Sequence, residues 1–174
     1  MTQKKFMRQF YDTFTTPAGD FSVALNATGD VIATAFGGLP ELRERFTPDE
    51  VIHDPKRAAA AHREVDEYFA GTRQHFTQKL APSGTPFQQS VWAALARIPF
   101  GETRFYGQIA AEIGNAEAAR AVGRANATNP ICLLVPCHRV IGTDGSLTGF
   151  AFGEDIKRQL LDHERARAPA LRAS

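Results

Sequence analysis

The residues most able to do chemistry lie together at Val135-Pro136-Cys137-His138-Arg139-Val140, where a thiol, an imidazole and a guanidinium are consecutive. A thiol with its free pKa of about 8.5 is mostly protonated at neutral pH, and a neighbouring His or Arg favours the nucleophilic thiolate. The same stretch follows an apolar run, Ile131-Cys132-Leu133-Leu134, which predicts a core strand. Free cysteine is also among the most buried residue types. Local sequence therefore supports a reactive Cys137 and a buried one equally. A second candidate, Glu164, closes the segment Glu154-Asp155-Ile156-Lys157-Arg158-Gln159-Leu160-Leu161-Asp162-His163-Glu164. Ile156, Leu160 and Glu164 recur every four residues, so a carboxylate falls on the apolar face of the helix and needs a partner there. By position alone, Glu164 could equally sit at a frayed helix end in water.

The elements around these residues can be read from periodicity and turn chemistry. Three short strands, Phe10–Thr16, Asp20–Asn26 and Val31–Gly38, are separated by Pro17-Ala18-Gly19-Asp20 and Ala27-Thr28-Gly29-Asp30, and predict a β-meander. In the stretch 56–72, Ala61, Val65 and Phe69 mark one face of a helix, with Gly71 as its C-cap. Ala81-Pro82-Ser83-Gly84 breaks the pattern and sets a domain boundary. This gives an N-terminal α/β domain over 1–84, a second domain over 85–164 and a disordered tail over 165–174.

The second domain opens on Thr85-Pro86-Phe87-Gln88, a capping-box helix start with Pro at the first helical position. Phe87, Val91, Leu95 and Ile98 form its apolar stripe, Trp92 reads as core, and Pro99 and Gly101 end it. The stretch 103–114 predicts a short helix stopped by Gly114, and Asn115 is placed to N-cap another over 116–128. Two helices so joined suggest a helix-turn-helix. The second is rich in Ala and Gly, which permits close backbone approach, either to another helix or to nucleic acid; Arg120 and Arg124, at i and i+4, share a face. Arg139 to Phe150 predicts a hairpin with Asp144-Gly145 at its tip, so the whole resembles a winged helix.

Composition narrows the function classes. The 174 residues are 43% hydrophobic, enough for an ordinary packed core, with no apolar stretch of membrane-span length and no signal-peptide pattern at Met1–Phe10. A cytoplasmic protein with two reduced thiols, Cys132 and Cys137, is expected. The five histidines are scattered and imply no metal, and no P-loop or dinucleotide fingerprint implies a nucleotide cofactor. Lys and Arg number 20 against 19 Asp and Glu, so DNA binding would have to come from the placement of charge. The stretch 85–164 repeats this balance, with seven basic and eight acidic residues.

Taken together, the segments 84–92, 98–110, 119–130, 135–150 and 157–164 resemble, in order and near spacing, the O6-alkylguanine-DNA alkyltransferases, also called methylated-DNA–protein-cysteine methyltransferases. The resemblance implies an α+β fold: a small antiparallel, ribonuclease-H-like N-terminal sheet with a helix, then a mostly helical, winged-helix-like domain with a helix-turn-helix. It implies direct-reversal repair, in which Cys137 takes the alkyl group from guanine O6 once and is consumed. Its partner is double-stranded DNA carrying O6-alkylguanine, with O4-alkylthymine left open. The protein is expected to act as a monomer, without a cofactor or a membrane. In this pattern His138 polarises the thiol through a water and Glu164 orients His138. Asn129 supports the active-site turns. Arg120 fills the place of the flipped base, Tyr106 crowds the adjacent phosphate and bonds the base, and Arg124, Ala121 and Gly123 belong to the DNA-facing helix. Backbone groups at Cys137, Val140 and Ala151 bond the guanine, and Phe150 walls its pocket. Phe150, Phe152 and Phe105 depart from the commoner tyrosine, glycine and small hydroxyl residues. These departures bear on substrate range, and they leave room for a non-catalytic protein that recognises alkylguanine in DNA. A thiol hydrolase using Cys137, His138 and Asn129 would leave Arg120 and Tyr106 unexplained.

Overall fold

A computed structural model describes residues 6–168, and the chain divides into two compact units. The first comprises residues up to Thr85 together with Asn129–Leu134; the second comprises Pro86–Thr128 and the chain from Val135 onward.

In the first unit, β1 (Arg8–Thr16), β2 (Gly19–Leu25) and β3 (Val31–Phe36) form the expected antiparallel meander. Period-two alternation sends Phe10 and Phe14 of β1 to one face, opposite Leu25 and Phe21 of β2. Phe21 meets Phe36 edge-on at 5.0 Å. After a short α1 (Leu39–Arg43), β4 (Glu50–His53) adds to the free edge of β1, giving the order β3-β2-β1-β4. This pairing is parallel, so the sheet is mixed and not wholly antiparallel. Only Val51 and Ile52 give β4 an apolar signal, which is too little for periodicity to reveal it. The long helix α2 (Pro55–Ala70) packs on β1 and β2 through Ala58, Ala61, Val65 and Tyr68. Asp54 caps its start, and Gly71, at φ 81°, ends it in the left-handed conformation that favours glycine.

The apolar run before the Cys-His motif is not a core strand. Asn129–Leu134 lies along the edge of β3, where the Thr34 N–H donates to the Pro130 carbonyl at 2.8 Å and its hydroxyl to the Cys132 carbonyl at 2.7 Å. Leu133, at φ 71°, is the one non-glycine described residue at positive φ and stops any extended run there. Cys132 is fully buried in this unit.

The second unit is mostly helical. Its elements are α3 (Pro86–Ala96), β5 (Arg104–Phe105), α4 (Tyr106–Glu112), α5 (Ala119–Ala127), a 3-10 turn (Cys137–Arg139), β6 (Val140–Ile141) and α6 (Glu154–Arg167). Helices α3, α4 and α5 pack on one another, and Trp92 is core, donating its indole N–H to the Ala125 carbonyl at 2.8 Å. Four local expectations need correction. Arg104 and Phe105 form a strand, because they pair in parallel with Val140 and Ile141. Helix α5 begins at Ala119, and Asn115 accepts the Ala118 N–H through its backbone in the preceding turn. The hairpin after the motif lacks its returning strand: Gly142 N–H bonds the Ser146 carbonyl, closing a loop around Asp144 and Gly145. Helix α6 continues through Arg167, into the stretch expected to be a disordered tail, whose residues 169–174 lie outside the described residues.

Candidate active site

The 3-10 turn that carries Cys137, His138 and Arg139 packs against α6 and α3, and all three side chains are buried. Helix α6 presents Lys157, Leu160, Leu161 and Glu164 inward, the i, i+3, i+4, i+7 spacing of one helical face. Glu164 is therefore no frayed end: it is 1% exposed and its carboxylate is bonded by His138, Arg139 and Gly101. The His138 Nε2 lies 2.6 Å from its Oε2. Arg139 donates to both carboxylate oxygens, Nε at 2.7 Å and Nη2 at 3.1 Å, and the Gly101 N–H donates at 3.2 Å. The third arm of Arg139 donates to the Ile98 carbonyl at 2.7 Å. The guanidinium is thus spent on holding Glu164 and the turn that follows α3.

These bonds set protonation. Burial raises the Glu164 pKa, but His138 and the bidentate Arg139 outweigh it and hold the carboxyl well below the ordinary range, so it is an anion. Burial pushes His138 the other way, below its ordinary value, with Arg139 and Lys157 adding to the effect against the pull of Glu164. A neutral imidazole beside an ionised carboxylate carries its proton on Nε2 and donates it to Glu164. The Nδ1 lone pair then remains as a proton acceptor; Nδ1 is buried and has no partner among the described residues. An oriented base thus lies next to a nucleophile in sequence, with a carboxylate orienting the base.

Two further side chains lie within electrostatic reach of Cys137. Lys157 is fully buried, donates to the Val140 carbonyl at 2.6 Å, and has its pKa lowered by burial to about 8 against the opposing pull of Cys137 and Glu154. Tyr106 has its phenol pKa raised, by burial first and then by Cys137. Its hydroxyl donates to the Thr148 carbonyl at 3.0 Å. Gly149, at φ 84°, leaves room for that hydroxyl, since a Cβ there would stand 2.9 Å from it. On α5, Val122, Ala125 and Asn126 face inward while Arg120 and Arg124 are exposed on one side. Gly123 adjoins the Tyr106 ring, where an added Cβ would sit 3.9 Å away, and Ala121 is half-buried. Val140 is fully buried; Phe150 is buried with its ring edge-on to Phe152 at 5.7 Å, and Ala151 is exposed.

Several expected site residues thus share the second unit: Cys137, His138, Glu164, Tyr106, Arg120, Arg124, Ala121, Gly123, Val140, Phe150 and Ala151. Asn129 belongs to the first, where its buried side chain accepts the Ile131 N–H at 3.0 Å. In the second unit, the Asn126 amide donates to the Cys137 carbonyl at 3.2 Å. Sequence reasoning gave no role to Asn126 or Lys157. A lysine at an apolar-stripe position of α6 was a readable signal for the latter; nothing in the alanine-rich pattern distinguished Asn126. Neither cysteine is in a disulfide, and among the described residues no group of three or more His, Cys, Asp or Glu side chains could hold a metal ion.

Comparison with known proteins matches residues 86–166 to the family described as 6-O-methylguanine DNA methyltransferase, DNA binding domain. A methylated-DNA–protein-cysteine methyltransferase of Methanosarcina acetivorans is 46% identical over 155 residues, covering 89% of this chain and 97% of the relative. One from Mycobacterium bovis is 45% identical over 162 residues, covering 92% and 94%. Among solved structures, Mycobacterium tuberculosis OGT in complex with DNA superposes with a TM-score of 0.82 at 43% identity, covering 92% of this chain and 96% of that one. With both units covered at this identity, and with an acceptor-type cysteine set beside an oriented histidine, the chain belongs to the methylated-DNA–protein-cysteine methyltransferase family.

Proposed function

We propose that this protein repairs O6-alkylguanine in double-stranded DNA by moving the alkyl group to Cys137, once per molecule. The observation that carries this reading is the buried His138–Glu164–Arg139 array behind Cys137, which leaves one imidazole lone pair as a base. The Cys137 proton passes toward His138 Nδ1, through a water where the two do not touch. The sulfur then attacks the alkyl carbon, an S–C bond forms, the C–O6 bond breaks, and its electron pair stays on the guanine. Tyr106 turns its one O–H from the Thr148 carbonyl to the base and so stabilises its departure. The thioether has no easy route back to a thiol, so the protein is consumed.

The names of the relatives and the DNA complex of the Mycobacterium tuberculosis homologue support DNA as the partner. A stacked base hides its O6, so it must be flipped out, at a cost of a few kcal/mol. In this reading α5 enters the minor groove, where its small residues Ala121 and Gly123 allow close approach. Arg120 fills the vacated stack and Arg124 meets phosphate. Val140 and Ala151 bond the base through their backbones, Phe150 walls the pocket, and Asn129 shapes the turn leading to the motif. A thiol stays reduced most readily in the cytoplasm, and in this reading the protein acts there, as a monomer.

The test is transfer of label from duplex DNA containing O6-methylguanine. Cys137→Ser should abolish it and Cys132→Ser should largely keep it. Tight binding of lesion DNA by the unmodified protein with the methyl group still on guanine would replace this reading with one of recognition alone.

A further inference from the structure

Asn126 is 2% exposed on the inward face of α5, and its amide N–H donates to the carbonyl of Cys137 itself. Only the amide nitrogen can donate to a carbonyl, so the chemistry fixes which way the side chain points. The other half of the amide, Oδ1, is buried and accepts nothing from the described residues. A leucine of similar size would fill the same space without a stranded oxygen. An amide half-satisfied in a core is a poor choice for packing, and the one bond it makes goes to the acceptor residue.

The opposite side of the same helix carries Arg120 and Arg124, exposed and one turn apart. At about 100° per residue, Asn126 lies about 200° round from Arg124, so α5 has one face for a ligand and its back on the acceptor turn. The C-terminal turn of α5 is also held from behind, by the Trp92 indole on the Ala125 carbonyl and the Thr128 hydroxyl on the Arg124 carbonyl. The Cys137 carbonyl meanwhile accepts the Val140 N–H. Helix and turn are thus joined by a buried side-chain bond, each end of which is also held by other bonds.

We infer that Asn126 is a positioning residue for alkyl transfer, tying the helix that docks DNA to the turn that carries the thiol. The inference rests on the function proposed above. A base delivered by docked DNA is placed relative to α5, whereas the thiol is placed by the 3-10 turn. The Asn126 bond keeps the two in register. A free base, which is not attached to α5, finds its own position and does not depend on that register.

The test compares wild type and Asn126→Leu on two substrates: duplex DNA carrying O6-methylguanine, and the free base O6-benzylguanine. Loss of register should lower the duplex rate by about tenfold to a hundredfold while the free-base rate changes little. Affinity for lesion DNA and the melting temperature should stay near wild type. Equal loss on both substrates, or no loss on either, would overturn the inference. If Asn126→Leu does not fold, Asn126→Met, a flexible apolar side chain without a donor, must show the same selective loss. Failure of the wild-type protein to transfer from either substrate would instead refute the proposed function.

Discussion

At the scale of single residues, the site is a problem of buried charge. Glu164 and Arg139 are both out of water and tolerable only together, because each satisfies the other and the remaining donors and acceptors are filled by Gly101 and Ile98. Glu164→Ala would leave a buried guanidinium without its anion, and urea unfolding should show a loss of about 3–5 kcal/mol. Acid should act in the same direction. His138 is held below its ordinary 6.5, by burial first, so the unfolded chain takes up a proton before the folded one does. Its contribution is complete above pH 6.5 and is lost as pH falls below that value. The depressed Glu164 adds a further loss below its ordinary 4.5. Lys157 works at the other end: with a pKa lowered from 10.5 to about 8, its contribution grows as pH rises between those values, and Lys157→Met should flatten the stability curve there. For reactivity, His138→Ala removes the base, and the pH profile of Cys137 alkylation by iodoacetamide should move toward that of an ordinary thiol, near about 8.5.

At the scale of elements, the functional side chains are placed by the 3-10 turn, the start of α4 and the faces of α5 and α6. Tyr106 opens α4 and reaches over Gly149, whose φ of 84° and missing Cβ both serve the close approach. Gly149→Ala should therefore strain the backbone, push the hydroxyl off the Thr148 carbonyl and slow transfer from duplex DNA in a single-turnover assay, with Cys137 still alkylated by iodoacetamide. Trp92→Phe removes one buried hydrogen bond to α5 and should cost about 1 kcal/mol in thermal or urea unfolding. The helices that carry this chemistry were readable because their apolar residues recur at helical spacing and because Gly71, Pro86 and Gly114 punctuate them. What escaped were pairings with no local signature. The two-residue ladder of β5 and β6 joins segments 36 positions apart, and β4 is defined by its partner β1 more than by its own residues. Glu164 shows the limit most clearly. Spacing put a carboxylate on an apolar face, but whether water or Arg139 met it depended on a loop folding back from elsewhere in the chain.

At the scale of the whole molecule, 20 basic residues against 19 acidic leave no strong field to gather DNA, so binding must come from where the cations stand. If Arg124 meets one phosphate, Arg124→Ala should reduce the salt slope of DNA binding by about one ion, measured by titration at several ionic strengths. The motifs that carry the resemblance lie mostly in the second unit, whereas the stretch Asn129–Leu134, expected in the C-terminal domain, clusters with the first. That assignment was illegible because a run of apolar residues states only that it is buried, not against what. The central claim is that Cys137 is a stoichiometric acceptor. Its most direct test is peptide mass mapping after incubation with excess duplex DNA carrying O6-methylguanine. One methyl group on Cys137, none on Cys132 and one lesion removed per protein molecule is the expected result. An unmodified Cys137 with the lesion still in place, or many lesions removed per molecule, would contradict it.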